Sequence, residues 1–129
     1  MNGNFIGIAG ELRVMSELLL RGKNPAKSYL DFGIDCILED GKKIQIKTSY
    51  GSTPSKEEKN KNVYTFSFQD YKKGTHKLNV DFVIAWCIKD NLFLIIPSED
   101  LKGKSCVRFA PISRTSRLKK YINNWEILD

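Results

Sequence analysis

Residues 34–38 (IDCIL) and 43–48 (KIQIKT) place an aspartate, a glutamine and a lysine on two short apolar runs separated by Glu39-Asp40-Gly41. If the runs are strands of one hairpin, the loop decides which side chains share a face, because side chains alternate along a strand and opposite residues point the same way. A two-residue Asp40-Gly41 turn sets Asp35 opposite Ile46, on the wrong face. A three-residue loop with Gly41 in the left-handed conformation pairs Leu38 with Lys42, and hence Asp35 with Gln45. One face is then apolar, with Ile34, Cys36, Leu38, Ile44 and Ile46, and the other carries Asp35, Gln45 and Lys47 side by side. Two oxygen-bearing side chains beside an ammonium group suit a hard divalent cation and an attacking water.

An earlier segment offers a further carboxylate. Residues 5–21 carry Phe5, Ile8, Leu12, Met15 and Leu19 at alternating steps of three and four, which predicts an amphipathic helix with that stripe buried and Gly22 as its stop. Plotted at about 100° per residue, Glu11 falls beside Met15 and Leu18 at the border of the stripe, whereas Glu17 falls on the solvated side with Arg13 and Arg21. A carboxylate turned toward a sheet needs a cation or hydrogen bonds to offset its desolvation; the alternative is that Glu11 reaches back to water.

Together these segments, GELRVMSELLLRG with Glu11, FGIDCIL with Asp35 and, ten residues after Asp35, QIKT with Gln45, Ile46, Lys47 and Thr48, resemble the PD-(D/E)XK nuclease superfamily. The similarity is greatest to the QxK branch that includes group I intron homing endonucleases, in which glutamine takes the acidic place of the third motif. Holliday junction resolvases and restriction-type enzymes share the same core. The run VDFVIAWCIKDNLFLIIP is similar to the strand pair that follows the catalytic core in that branch, so the resemblance covers residues 7–97. It implies an α/β (α+β mixed sheet) fold, a restriction-endonuclease-like core with an N-terminal helix packed on a central mixed β-sheet and a C-terminal helix.

The resemblance also implies an activity: a magnesium-dependent DNA endonuclease, with manganese able to substitute, that hydrolyses phosphodiesters to 5′-phosphate and 3′-hydroxyl ends. Each small subunit offers one site for one strand, so a homodimer or homotetramer is expected. Glu11, Asp35, Gln45 and the Ile46 carbonyl are the implied metal ligands. The implied catalytic set is Glu11, Asp35, Gln45 and Lys47, with Lys47 orienting or deprotonating the water and offsetting charge on the phosphate. Two departures stand out: Ile34 occupies the place of the motif's proline, and Gln45 leaves the site one negative charge short. A junction resolvase and a non-catalytic nucleic-acid-binding module on the same scaffold therefore remain competing readings. RNA as substrate stays open too, since nothing here reads a 2′-hydroxyl.

Charge points to the same class of partner. The chain has 21 Lys and Arg against 15 Asp and Glu, a formal net of +6, and residues 102–120 hold seven basic residues and no acid. A concentrated basic segment suits polyanion binding. Arg108, Arg114, Arg117, Lys119 and Lys120 are the candidates for contact with the DNA backbone, together with Thr48 and Ser49 beside the motif. For those two hydroxyls an ordinary strand end explains the residues equally well. The loop with Lys56, Lys59 and Lys61 is diluted by Glu57 and Glu58 and is expected to be disordered. Trp86 and Trp125 are expected to pack in the core rather than stack on bases.

Other residue types close off chemistry. A single histidine, His76, excludes any two-histidine acid/base scheme and most zinc sites. Cys36, Cys87 and Cys106 are odd in number, far apart and set among apolar residues, which predicts reduced core thiols. No apolar run approaches the roughly 18 residues of a membrane span. The start, MNGNFIGIAGELRV, lacks the basic, apolar and small-residue order of a secretory signal, so the expectation is a cytoplasmic protein with no membrane partner.

The elements that must position the site follow in order along one domain, residues 1–129. After the helix come a candidate short strand over 28–30 and the two hairpin strands. A polar loop over 50–62 leads to a strand over 63–68, followed by an almost wholly apolar strand over 80–88 expected to be covered on both faces. Its hairpin partner over 92–96 returns after Asp90-Asn91, then come an edge strand over 107–109 and a helix over 116–125.

Overall fold

Helix α1 (Gly3–Leu20) begins at Asn2, whose side-chain oxygen accepts a hydrogen bond from the Asn4 N–H at 2.8 Å, and it ends before Gly22, which takes a φ of 80°. The computed structural model describes residues 2–29, 33–52, 61–68 and 79–129. Among the described residues, seven strands follow the helix: β1 (Ala26–Lys27), β2 (Cys36–Ile37), β3 (Lys43–Ser49), β4 (Tyr64–Ser67), β5 (Phe82–Cys87), β6 (Leu92–Pro97) and β7 (Cys106–Phe109). Five of them form a sheet in the order β1-β2-β3-β5-β6. Within it β3 and β5 run parallel and the other neighbours antiparallel. Strands β4 and β7 pair with each other as a separate antiparallel ribbon.

Three layers result, and the alternation of β5 and β6 explains them. Ile84, Phe93 and Ile95 point to the helix side, where they meet Val14, Leu18, Cys36, Ile44 and Trp125. Val83, Ala85, Leu94 and Ile96 point to the other side, where Tyr64, Phe66, Val107 and Phe109 of the ribbon cover them. Strand β5 is thus buried on both faces, as its continuous apolar run predicts. The mixed α+β architecture expected from the sequence is the one observed.

Several local expectations give way to packing. The stripe Phe5, Ile8, Leu12 and Leu19 is exposed, and α1 docks instead through Gly10, Val14 and Leu18. Gly10 sets the choice: a Cβ there would lie 1.6 Å from Thr48 Oγ1, so only the glycine edge lets the helix approach β3 this closely. Glu17 is not solvated either, since its carboxylate is held by Arg13 at 3.0 Å and Arg21 at 3.2 Å. Those guanidinium groups lie over the rings of Phe93 and Trp125.

The C-terminal helix is absent. Residues 116–125 hold only a 3-10 turn at Lys119–Tyr121, and a second turn spans Trp125–Leu128. Asn123 takes a φ of 50°, donates its N–H to Phe93 O at 2.7 Å and accepts from Phe93 N–H through its side chain. Ile122 bridges to Leu94, so the segment bonds to the edge of β6 in place of closing helical turns. The strand expected over 28–30 falls instead at Ala26–Lys27, with Leu30 outside the described residues. Residues 53–60, which include Lys56, Glu57, Glu58 and Lys59, and His76 also lie outside them. Residues 107–109 belong to the ribbon and not to the edge of the main sheet.

Cys36 and Cys87 are buried, whereas Cys106 is exposed on the outer face of β7; all three are free thiols. Burial pushes the Cys36 thiol up to about 12, with the nearby Asp35 and Glu11 carboxyls adding to the effect. Trp125 is buried and Trp86 half-buried against Phe93, in keeping with packing roles.

Candidate active site

The β2–β3 hairpin has the expected register. Cys36 pairs with Ile44 and Ile37 with Lys43, while Leu38 N–H donates to Lys42 O at 2.9 Å across the loop. Gly41 takes a φ of 91°, the left-handed position that a three-residue loop requires. Cys36, Leu38, Ile44 and Ile46 are buried on the helix side.

Asp35 departs from the simple ladder. Its N–H donates to Ile44 O at 2.8 Å although Cys36 is the residue paired with Ile44, so two residues of one strand face a single residue of the other. This is a bulge, and a bulge re-aims side chains. Ile34, expected on the helix side, consequently packs into the ribbon-side core. Asp35 backs onto Ile44 rather than onto Gln45, and its carboxylate comes within hydrogen-bonding reach of Glu11 on α1.

Among the described residues, β2 ends here and leaves the edge of β3 unpaired beyond it. Odd-numbered backbone groups of β3 face β5, as Lys43 O and Ser49 O show by accepting from Asp81 and Ile88 N–H groups. Even-numbered groups face β2, as Lys42 O and Ile44 O show. Beyond the bulge no strand among the described residues meets the Ile46 N–H, and Asp35 Oδ2 accepts it at 2.6 Å. By the same alternation the Ile46 carbonyl lies on this edge.

The electrostatics concentrate on Asp35. Burial first, then the Glu11 carboxyl beside it, raises its pKa to about 6 from the ordinary 3.8. The hydrogen bond from Ile46 N–H and the charge of Lys47 oppose that rise. Two carboxyls in contact resist simultaneous ionisation, and a cation between them would relieve the repulsion.

Gln45 and Lys47 lie on the ribbon side of β3, opposite in face to Ile44 and Ile46. Lys47 Nζ sits 5.7 Å from the centre of the Phe68 ring. Among the described residues, Gln45 Oε1 is a buried side-chain oxygen with no hydrogen-bond partner. Such an acceptor costs about 1–3 kcal/mol, which a bound cation or an ordered water would offset. No cluster of three or more His, Cys, Asp or Glu side chains occurs among the described residues. Carboxylates, an amide oxygen and a backbone carbonyl are oxygen donors of the kind that hard cations such as magnesium or manganese take.

A cleft of about 540 Å³ opens beside these groups, lined by Glu11, Ile46, Lys47 and Thr48 and by Asn4 and Gly7 of α1. Asn4 and Gly7 were not among the residues singled out from the sequence. The sequence carries no signal for them: of Gly3, Gly7 and Gly10, only Gly10 lies against another element, and a Cβ at Gly3 or Gly7 would meet nothing within 4 Å. Thr48 packs on Gly10 at the cleft wall, and Ser49 follows it, half-buried. Arg108, Arg114, Arg117, Lys119 and Lys120 are exposed, Arg108 on the outer face of the ribbon opposite Thr65.

The fold has a solved counterpart. The chain superposes on the bacterial homing endonuclease I-Ssp6803I with a TM-score of 0.76 at 18% sequence identity, over 98% of this chain and 91% of that one. The two proteins share a fold. No protein-family model matches the sequence, and no curated protein matches it. Among the described residues, no helix is long and apolar enough to cross a membrane.

Proposed function

We propose that this protein is a metal-dependent DNA endonuclease of the PD-(D/E)XK type, in its QxK form, acting as a homing or restriction-type enzyme. The observation that carries the reading is the meeting of Glu11 and Asp35 at the open edge of β3 with Lys47 beside them, on a fold shared with a homing endonuclease. Glu11, Asp35, Gln45 Oε1 and the Ile46 carbonyl would hold Mg²⁺ or Mn²⁺. The bound ion supplies charge neutralisation at the phosphate and a more acidic water.

The chain's own groups do the rest. Ile46 N–H fixes the Asp35 carboxylate, so one oxygen is held by the backbone while the other remains for a ligand. Lys47 orients the attacking water and offsets negative charge gathering on the phosphate oxygens. Water oxygen bonds to phosphorus, the bond to the 3′ oxygen breaks, and that oxygen takes up a proton, leaving 5′-phosphate and 3′-hydroxyl ends. The exposed arginines and lysines of residues 108–120, with Thr48 and Ser49 at the cleft, contact the DNA backbone. A homodimer or homotetramer supplies the second site that a double-strand cut needs. Free thiols fit a cytoplasmic setting.

Neutral Gln45 favours a second reading, a binding module that retains the scaffold without turnover. Incubation of linear duplex and of a four-way junction with Mg²⁺ or EDTA, followed by ligation of the products, separates the possibilities. Metal-dependent cuts that ligase reseals support the proposal, and preference for the junction selects a resolvase. Cuts made equally well in EDTA, or ends that ligase rejects, contradict it.

A further inference from the structure

The polarity of α1 is inverted relative to its setting. Its charged side chains are engaged by the protein body: Arg13 and Glu17 pair with each other against Phe93, and Glu11 meets Asp35. Its apolar stripe faces outward, with Phe5 69%, Ile8 56%, Leu12 67% and Leu19 60% exposed, and with half-buried Met15 on the same line. The positions 5, 8, 12, 15 and 19 repeat by three and four, which is the a and d spacing of a helix that meets another helix.

We infer that this stripe is a self-association surface, occupied by α1 of a second copy of the chain about a two-fold axis. Three observations select that occupant. The spacing is that of a helix–helix seam, and such a seam is self-complementary when the same residues come from both sides. Of the residues flanking the stripe, Asn4, Ala9 and Ser16 are exposed and uncharged, and the charged neighbour, Glu11, is turned to Asp35 of its own chain, so a second α1 can approach closely. The stripe with adjacent Leu20, 78% exposed, presents roughly 500–600 Å² of apolar surface per copy, at the upper limit for a typical monomer and a large part of the ~800 Å² per partner of a stable interface. A membrane surface is disfavoured because a helix lying on lipid carries basic residues along its polar face, and here Arg13 is stacked on Phe93.

Leu12 is the middle residue of the stripe and packs on its own copy across the axis. Ile8 belongs both to the stripe and to the lining of the cleft, so the seam borders the candidate active site and two clefts flank one interface. The inference rests on the exposed face of α1 and not on the nuclease reading, and its readout is mass rather than cleavage.

The test is sedimentation equilibrium of the full chain at micromolar concentrations, alone and as Leu12→Glu. The wild type is expected as a dimer or a multiple of one, and Leu12→Glu as a single chain with unchanged circular dichroism. In a Cys106→Ser background, Leu12→Cys is expected to form an intermolecular disulfide on mild oxidation. A single-chain mass for the wild type overturns the inference, and co-sedimentation of that monomer with anionic vesicles assigns the stripe to lipid instead. Assembly that survives Leu12→Glu places the interface elsewhere and overturns it as well.

Discussion

The carboxyl groups of Glu11 and Asp35 lie within hydrogen-bonding reach of each other where the N-terminal helix crosses the bulged end of the β2–β3 hairpin. Neither residue sits there by local preference. Glu11 is placed by the close approach of its neighbour Gly10 to Thr48, and Asp35 by a bulge that turns it away from Gln45 and onto the Ile46 N–H. An acid pair held together by the fold is the arrangement a divalent cation stabilises.

Metal binding should therefore appear as stability. At ten times its dissociation constant, Mn²⁺ or Ca²⁺ should add about 1.4 kcal/mol, raising the melting temperature by roughly 5 °C. Differential scanning fluorimetry of the wild type and Glu11→Gln checks it. The shift should vanish in the variant, and an equal shift in both proteins would place the ion elsewhere.

In metal-free protein, Asp35 destabilises the fold once it ionises. Its pKa is raised from 3.8 to about 6, so between those values the unfolded chain loses a proton that the folded chain keeps, and stability falls as pH rises through the window. Above about pH 6 the penalty is complete. Asp35→Asn should therefore be more stable than wild type at neutral pH by about 1–2 kcal/mol, allowing for partial exposure, and equal to it below the window. Urea denaturation across pH in EDTA measures the difference, and a gap that persists unchanged at acid pH would show another origin.

Gly10→Ala tests how the site is held. The added methyl collides with Thr48 Oγ1 and should cost about 1–3 kcal/mol, lifting α1 and carrying Glu11 away from Asp35. Combining it with Thr48→Ala should recover most of both stability and metal response. Additive losses in the double variant would mean that the glycine serves no packing purpose there.

Much of this site is readable in the chain. Gly41 and the alternation of apolar residues fix the hairpin register, because a slip of one residue would turn Ile44 and Ile46 to the wrong face. The facing of α1 is not readable from its apolar stripe. Periodicity reveals that Phe5, Ile8, Leu12 and Leu19 need cover, but not from which body, and a close approach through Gly10 and Val14 outweighs their burial within one chain. The residues around 116–125 fail as a helix for a similar reason, since bonding of Asn123 to Phe93 depends on a strand distant in sequence. The bulge at Asp35 likewise has no local signature.

Contact with DNA should depend on the basic segment through charge alone. Arg114 and Arg117 are exposed, and replacing both by alanine should lower the slope of log affinity against log salt by about 1.8. Fluorescence anisotropy over a salt series, with Ca²⁺ in place of Mg²⁺ to prevent cutting, measures the slope. An unchanged slope would remove these residues from the interface.

Lys47 bears on the central claim most directly. It touches the ring of Phe68 and lines the cleft, so Lys47→Ala should leave the fold within about 1 kcal/mol of wild type while removing the group that orients the attacking water. Cleavage of supercoiled plasmid by wild type and Lys47→Ala, each with Mn²⁺, Mg²⁺ or EDTA, is the measurement. Metal-dependent cutting by the wild type that falls by about a hundredfold or more in the variant is the expected result. Cutting that Lys47→Ala retains at full rate, or a wild type that leaves DNA intact with either metal, would contradict the assignment.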